Sequence, residues 1–170
     1  MHRILNIAGN EKNNDDLIEQ PKADFIFITS VKADINIISN LIADKEFNSF
    51  KNNIRALEIS NLNTFAQIDN YFVKTINYAK VVVLRLFGDK GTWSYGIENL
   101  IKWQELKIDR TLLILSGTEE EDLSLNELSS IKLETSIKIT KILRSGGKEN
   151  YRRFLYCLKY LISNKTEVPE

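Results

Sequence analysis

Three glycines lie close to Trp93 and Tyr95 in the segment LRLFGDKGTWSYGIENL, residues 84–100. Glycines between a strand and a helix are typical of phosphate-binding loops. A P-loop needs Lys and then Ser or Thr directly after its last Gly, but Ile97 and Glu98 follow Gly96. The dinucleotide pattern G-x-G-x-x-G is also absent, because Gly88 is followed by Asp-Lys-Gly. A carboxylate at Glu98 would repel phosphate, so the segment argues against a nucleotide site.

The same segment favours a different surface, formed by Arg85, Gly88, Trp93, Tyr95 and Glu98. Trp and Tyr offer flat apolar faces with one polar tip, which suit a planar or macrocyclic ligand or a protein surface. Arg85 follows an apolar run, where a lone charge is costly, and this indicates a functional role or a buried ion pair. The alternative is that Trp93 belongs to the core and the glycines only turn the chain.

Polar residues also follow the second predicted strand, where Thr29, Ser30 and Asp34 are expected to line the same crevice as Arg85. Ligands of parallel α/β sheets bind beyond the carboxyl ends of the strands. The alternative is that strand ends are polar in any such fold because loops face water.

Residues for metal or nucleophilic chemistry are few. His2 is the only histidine and Cys157 the only cysteine, which leaves no set for a tetrahedral metal or a Ser-His-Asp triad. The acidic run at 119–122 is typical of a solvated loop rather than of a site for a hard cation. Cys157 lies among apolar neighbours and is expected in the core. We predict no metal site on this chain, and catalytic residues are not assigned.

Five short apolar, β-rich runs must position these side chains; they are residues 3–8, 24–29, 54–59, 80–86 and 111–115. Runs such as FIFIT and VVVLRL lack polar alternation, which indicates strands buried on both faces of a parallel sheet. Helical periodicity lies between the later runs, with apolar faces at Ile35, Ile38, Leu41 and Ile42, and at Phe65, Ile68, Phe72, Ile76 and Ala79. A third helix is expected to begin near Thr92, which can act as its cap.

Beyond Gly117 the pattern predicts helices alone: a short one within 123–131, one over 134–144 that ends at Gly146 and Gly147, and a final apolar stripe from Tyr151 to Ile162. A strand at SIKIT is the alternative for the second of these. The sequence thus predicts a single α/β domain over residues 1–170, with a sheet part at 1–117 and a helical part at 118–165. The expected architecture is a three-layer parallel sheet of about five strands, flavodoxin- or Rossmann-like, with additional C-terminal helices.

Composition limits the class of protein. The chain has 23 basic and 23 acidic residues, with 43% hydrophobic and 27% charged content. This is a globular composition without the basic field that nucleic acids or anionic membranes require. The single cysteine and the lack of a signal-peptide pattern or an apolar membrane span predict a cytoplasmic protein.

Four segments together resemble the N-terminal region of the large, CobN-type subunit of aerobic cobaltochelatase. They are MHRILNIAGN, ADFIFITSVKADINIISNL, AKVVVLRLFGDKGTWSYGIENL and ETSIKITKILRSGGKENYRRFLYCLKYL. Their order is that of the family and they cover nearly the whole chain. The most specific element is the Arg–Gly–aromatic–Tyr-Gly–Glu arrangement of residues 85–98. The large subunit of magnesium chelatase has a similar overall plan but a less similar N-terminus.

The resemblance implies the insertion of cobalt into hydrogenobyrinic acid a,c-diamide during cobalamin biosynthesis. In that family the large subunit binds tetrapyrrole and metal, while separate AAA+-type subunits hydrolyse ATP, so no cofactor is expected on this piece. The family's subunit is several-fold longer, and its residues for metal insertion are expected beyond residue 170. This chain alone is therefore expected to be inactive.

One departure is the Val-Lys-Ala-Asp sequence after Ser30, where the family tends to show Ala-Asp-x-Asp. Other functions remain open: a scaffold domain that docks against the rest of the subunit without a ligand, a magnesium-chelatase-like tetrapyrrole-binding subunit, or an unrelated small-molecule-binding domain.

Overall fold

The computed structural model describes residues 6–7, 17–118 and 123–162, with the backbone alone for the first two. His2, the acidic run 119–122 and most of the first predicted strand lie outside the described residues. The predictions made for them stay predictions.

The sheet contains four longer strands and one two-residue edge strand, all parallel. The strands are β1 (Asn6–Ile7), β2 (Phe25–Thr29), β3 (Ile54–Glu58), β4 (Val81–Leu86) and β5 (Thr111–Ser116). Their spatial order is β1-β3-β2-β4-β5. Without the short β1, this order is that of the first four strands of a flavodoxin-like sheet.

In the part of the chain that the structure describes, five α-helices cover the two faces of the sheet: α1 (Lys32–Ile42), α2 (Phe65–Lys74), α3 (Ser94–Glu105), α4 (Leu133–Ser145) and α5 (Lys148–Leu161). Short 3-10 turns connect several elements, at Lys45–Phe50, Ile59–Asn61, Ile76–Tyr78, Lys90–Trp93 and Asn126–Leu128. None of the helices in the described ranges is long and apolar enough to span a bilayer.

The core has two halves, one on each side of the sheet. Alternate strand residues such as Phe27 and Val83 pack against α1, α4 and α5. Their neighbours in sequence, such as Ile28 and Leu84, pack against α2 and α3. Because both faces are covered, the strands are apolar at consecutive positions, as expected for parallel strands. The predicted three-layer α/β architecture is confirmed.

The C-terminal helices also follow the prediction. Residues 134–144 lie within α4, which excludes the strand alternative for SIKIT. Gly146 and Gly147 have φ angles of 69° and 84°, which end α4 and start α5 in a conformation that favours glycine. Cys157 is buried on α5, and this desolvation raises the pKa of its thiol to about 11.

Two local predictions were wrong. Thr92 does not cap α3, because the 3-10 turn Lys90–Trp93 precedes that helix and Asp89 accepts the Gly91 N–H at the start of the turn. Phe65 is 69% exposed rather than on the buried face, since it is the first residue of α2, directly after Thr64. The short helix predicted within 123–131 is present as the 3-10 helix Asn126–Leu128.

Candidate functional site at the carboxyl edge of the sheet

The carboxyl ends of β2 and β4 are adjacent at the centre of the sheet, where Thr29 and Arg85 are register partners. From β2 the chain continues into α1 on one face, and from β4 it continues into α3 on the other. Helices that diverge in this way mark a topological switch point, where open α/β sheets bind ligands. Three of the sequence-predicted site residues, Thr29, Asp34 and Arg85, meet here.

These residues and Tyr151 form a buried polar group, which we call the switch-point cluster: Thr29, Asp34, Arg85 and Tyr151. Arg85 Nη1 lies 2.7 Å from Asp34 Oδ1, and Thr29 Oγ1 donates a hydrogen bond to Asp34 Oδ2 over 2.8 Å. The Tyr151 hydroxyl donates to Asp34 Oδ1. It also accepts a longer bond of 3.4 Å from Arg85 Nη1. Asp34 is completely buried and Arg85 is 7% exposed, so the buried ion pair foreseen for Arg85 is present.

Local sequence places three of the four members of the cluster. Thr29 ends β2 and accepts the Val31 N–H, which turns the chain into α1. Asp34 occupies the first turn of α1, where the helix dipole favours a carboxylate. Tyr151 lies in the first turn of α5, which the two positive-φ glycines bring to this end of the sheet.

The electrostatics of the cluster favour a neutral phenol at Tyr151. Burial and the adjacent Asp34 raise the pKa of Tyr151 to about 12, because both disfavour a phenolate there. Tyr151 is therefore a hydrogen-bond donor at neutral pH. Asp34 accepts bonds from three side chains, and this leaves its carboxylate engaged inside the protein rather than available to a ligand.

Ser30 and Gly88 lie in the loops that follow these two strands. The Ser30 N–H donates to the Arg85 carbonyl over 2.9 Å, and Ser30 Oγ accepts from the Phe87 N–H over 3.1 Å, so the two loops are joined. Gly88 is exposed and has a φ of 96°, and a Cβ there would lie 2.6 Å from Thr92 Oγ1. The position therefore needs glycine for a conformational reason.

Trp93 lies in the core half against α2 and α3, on the opposite side of the sheet from the switch-point cluster. Its side chain is buried, and its indole N–H donates to the Leu62 carbonyl over 2.9 Å. Gly96 packs directly beneath the ring, since an added Cβ would lie 2.4 Å from it. Of the two possibilities that the sequence left for Trp93, the structure favours the core.

Tyr95 and Glu98 remain at the surface of α3. The Tyr95 hydroxyl donates to Asp69 Oδ1 over 2.5 Å, and this bond raises the pKa of the phenol. Its ring lies 4.5 Å from that of Phe65, which is largely exposed. Glu98 is exposed on the same helix. We call the residues Phe65, Tyr95 and Glu98 the exposed aromatic face.

The eight predicted residues are therefore not brought together in one crevice: Thr29, Asp34 and Arg85 lie in the switch-point cluster, Ser30 and Gly88 lie in the loops at the edge of the sheet, and Trp93, Tyr95 and Glu98 lie on the α2 and α3 side. Sequence reasoning missed Tyr151 as a site residue, because the apolar stripe of α5 indicated only a core position. A tyrosine in the first turn of α5, within that apolar stripe, gave no separate signal for a polar site. Phe65 was missed because its spacing placed it on the buried face of α2.

The fold and site define an α/β domain of flavodoxin-like topology with a buried ion pair, Arg85 and Asp34, at its switch point. A scan of family models finds no match for this chain. Over 97 residues it is 32% identical to the aerobic cobaltochelatase subunit CobN of Pseudomonas aeruginosa. The matched part is 57% of this chain, and it spans 8% of that relative.

The fold is similar to part of the catalytic subunit of cobaltochelatase from Mycobacterium tuberculosis. The TM-score is 0.58 with 20% identity, over 88% of this chain and 11% of that one. This likeness concerns the fold, whereas the Pseudomonas relative supplies the sequence similarity. Together they confirm the resemblance of this chain to a CobN-type large subunit.

Proposed function

We propose that this chain is the N-terminal α/β domain of the large subunit of an aerobic cobaltochelatase. The observation that carries the proposal is the 32% identity over 97 residues to a CobN subunit. The complete subunit, with AAA+-type ATPase partners in the cytoplasm, would insert cobalt into hydrogenobyrinic acid a,c-diamide at the expense of ATP. Cobalt is a substrate of that reaction.

Within such a subunit we place the residues of metal insertion outside this domain. The switch-point cluster supports this, since the Asp34 carboxylate is fully buried and already accepts three hydrogen bonds. A carboxylate in that state neither binds a metal nor takes a proton from a macrocycle without losing its ion pair. The domain would be inactive alone and would support the rest of the subunit.

The part of the site that remains accessible is the exposed aromatic face, and it would contact either the macrocycle or another domain. Burial of Trp93 favours domain docking, because the largest aromatic ring of the segment is not offered to a ligand. Arg85 then has an indirect role: its buried ion pair with Asp34 holds the end of β4, and so the loop that follows it, in place.

A chimeric subunit tests the main proposal. The 97-residue segment of the Pseudomonas subunit that matches this chain would be replaced by the corresponding residues of this chain. Cobalt insertion would be measured with the ATPase subunits present, with magnesium as the alternative metal. We expect cobalt insertion. A chimera that folds and assembles but inserts magnesium only, or no metal, would contradict the proposal.

A titration of the isolated chain with hydrogenobyrinic acid a,c-diamide separates the two roles of the exposed aromatic face. Absorbance of the macrocycle would report binding. Docking without a ligand predicts no binding by the chain, together with loss of cobalt insertion when Tyr95→Ala is placed in the chimera. Glu105→Ala, an exposed change at the far end of α3, is the control. Saturable binding that Tyr95→Ala abolishes would instead assign the face to the macrocycle.

A further inference from the structure

Within the described residues no strand lies beside the outer edge of β5, which is the last strand in the order of the sheet. An open edge presents unpaired N–H and C=O groups to any other extended chain. In the middle of β5 the backbone groups of Leu112 and Ile114 face outward, since the Thr111 and Gly117 N–H groups donate inward, to the carbonyls of Lys80 and Leu86. Each of these groups nevertheless has a partner in the described structure.

The partners are two consecutive serines, Ser129 and Ser130. The Ser130 N–H donates to the Leu112 carbonyl and the Leu112 N–H donates to Ser130 Oγ, both over 2.8 Å. The Ile114 N–H donates to Ser129 Oγ over 2.8 Å, and this hydroxyl donates back to the Ile114 carbonyl over 3.2 Å. The dipeptide thus runs antiparallel to β5, and its hydroxyls substitute for the backbone groups of a further strand.

Helix α4 holds this dipeptide in place through buried polar side chains. Asn126 Nδ2 donates to Ser136 Oγ and to Thr140 Oγ1, each over 2.8 Å. Ser136 Oγ lies 3.2 Å from Ser129 Oγ, and Ser136 is completely buried. Since Ser129 uses its proton on Ile114, Ser136 donates to Ser129 and accepts from Asn126, which satisfies every hydroxyl. This network accounts for two of the polar residues that α4 buries, Ser136 and Thr140.

We propose that Ser129 and Ser130 form an edge plug that prevents β5 from pairing with β5 of a second copy of this chain. The strand TLLILS carries no charge and is fully buried, which makes its edge well suited to strand addition once it is uncovered. Pairing of two β5 edges about a two-fold axis is isologous and would join two sheets into one.

The test compares the double variant Ser129→Ala, Ser130→Ala with the unchanged chain. Oligomeric state would be measured by light scattering over a range of concentrations, and amide hydrogen exchange would be followed at Leu112 and Ile114. Without the hydroxyls we expect both amides to exchange about tenfold faster. We also expect a dimer that increases with concentration. The variant Ser129→Thr, Ser130→Thr retains the hydroxyls and should remain monomeric.

Ser145→Ala is the matched control, because it removes an exposed serine hydroxyl bonded to a backbone carbonyl at the far end of α4. If the double variant does not fold, Ser129→Ala alone is measured in the same way. A variant that stays monomeric at every concentration would overturn the proposal, whether or not its amides exchange faster. A dimer that forms equally in the Ser145→Ala control would overturn it too.

Discussion

The two sides of the carboxyl edge use similar residue types in opposite ways. On the α1 and α5 side, Tyr151 and Asp34 form a hydrogen bond inside a fully buried cluster. On the α2 and α3 side, Tyr95 and Asp69 form the same kind of bond at the surface. A buried Tyr–Asp bond that includes a counter-charge holds elements together, whereas a solvated bond has water as a competitor for each partner.

The residues that the sequence predicted to line one crevice therefore lie in two different regions. The buried cluster joins β2, β4, α1 and α5, so the polar groups of its side chains bind one another and stabilise the fold. The exposed aromatic face joins only α2 and α3 and leaves ring surface accessible. Four variants would test this contrast, beginning with the largest expected effect.

Asp34→Ala leaves Arg85 as an unpaired charge in a buried position. We expect the free energy of unfolding to fall by about 3–5 kcal/mol, since breaking one partner of a buried pair leaves an uncompensated charge. Urea unfolding measures this. The double variant Asp34→Leu, Arg85→Met should lose less than the single variant. A loss in Asp34→Ala no larger than that of an exposed carboxylate would show that the pair is not buried in solution.

Tyr151→Phe removes the phenolic donor to Asp34 while keeping the ring in the core. We expect a loss of about 1.5–3 kcal/mol at neutral pH, as for a hydrogen bond to a charged group. The same change at the surface, Tyr95→Phe, should leave the unfolding midpoint nearly unchanged. Equal losses in the two variants would remove the contrast between the two regions.

The pH dependence of the Tyr151→Phe effect sharpens this prediction. The folded-state pKa of Tyr151 is raised from 10.0 to about 12, so the folded protein keeps a proton that the unfolded chain loses. The stabilisation is complete below pH 10 and is lost as the pH rises towards 12. The difference between the unchanged chain and Tyr151→Phe should therefore shrink over this interval, as measured by urea unfolding at successive pH values. A difference that stays constant would contradict the raised pKa.

Gly96→Ala places a methyl group 2.4 Å from the Trp93 ring. We expect a loss of about 1–3 kcal/mol from overpacking, because the ring is enclosed by core residues and cannot move aside. Gly91→Ala is the matched control, since its Cβ would meet only the exposed Asp89 carboxylate, at 3.1 Å. Thermal unfolding of both variants measures the difference. If Gly96→Ala were neutral, Trp93 would have room to turn towards a ligand.

Glu98→Ala should have the smallest effect on stability, within about 0.5 kcal/mol, as for other exposed substitutions. Its expected effect is on docking instead, in the chimeric subunit described above. A change in the urea midpoint well beyond that range would mean that Glu98 has a structural partner in solution.

Most of the fold was predictable because apolar periodicity depends on neighbouring residues. The runs FIFIT and VVVLRL became β2 and β4 almost to the residue, and residues 134–144 became α4. The wrong prediction of a cap at Thr92 has a local cause. Asp89 accepts the Gly91 N–H and starts the 3-10 turn Lys90–Trp93, so Thr92 lies inside that turn rather than at the start of α3. Phe65 was misplaced because a helical period does not tell where the helix begins.

The candidate site was predictable only in part. Arg85 in an apolar run indicated a buried ion pair, and the pair exists. Asp34 was named as a site residue, but its pairing with Arg85 was not predicted. Tyr151 was not named as a site residue at all. The hydrogen bond between Tyr151 and Asp34 spans 117 positions, a distance over which no local pattern carries information.

By itself the sequence determined the α/β class, the absence of a phosphate-binding lysine after Gly96, and the resemblance to a CobN-type subunit. Each follows from residue types and spacings along the chain. Only the tertiary structure decided that Arg85 is paired with Asp34 and Tyr151, and that Trp93 is buried while Tyr95 is partly exposed. These outcomes depend on which helix covers which face of the sheet, and that is fixed by packing between elements far apart in sequence.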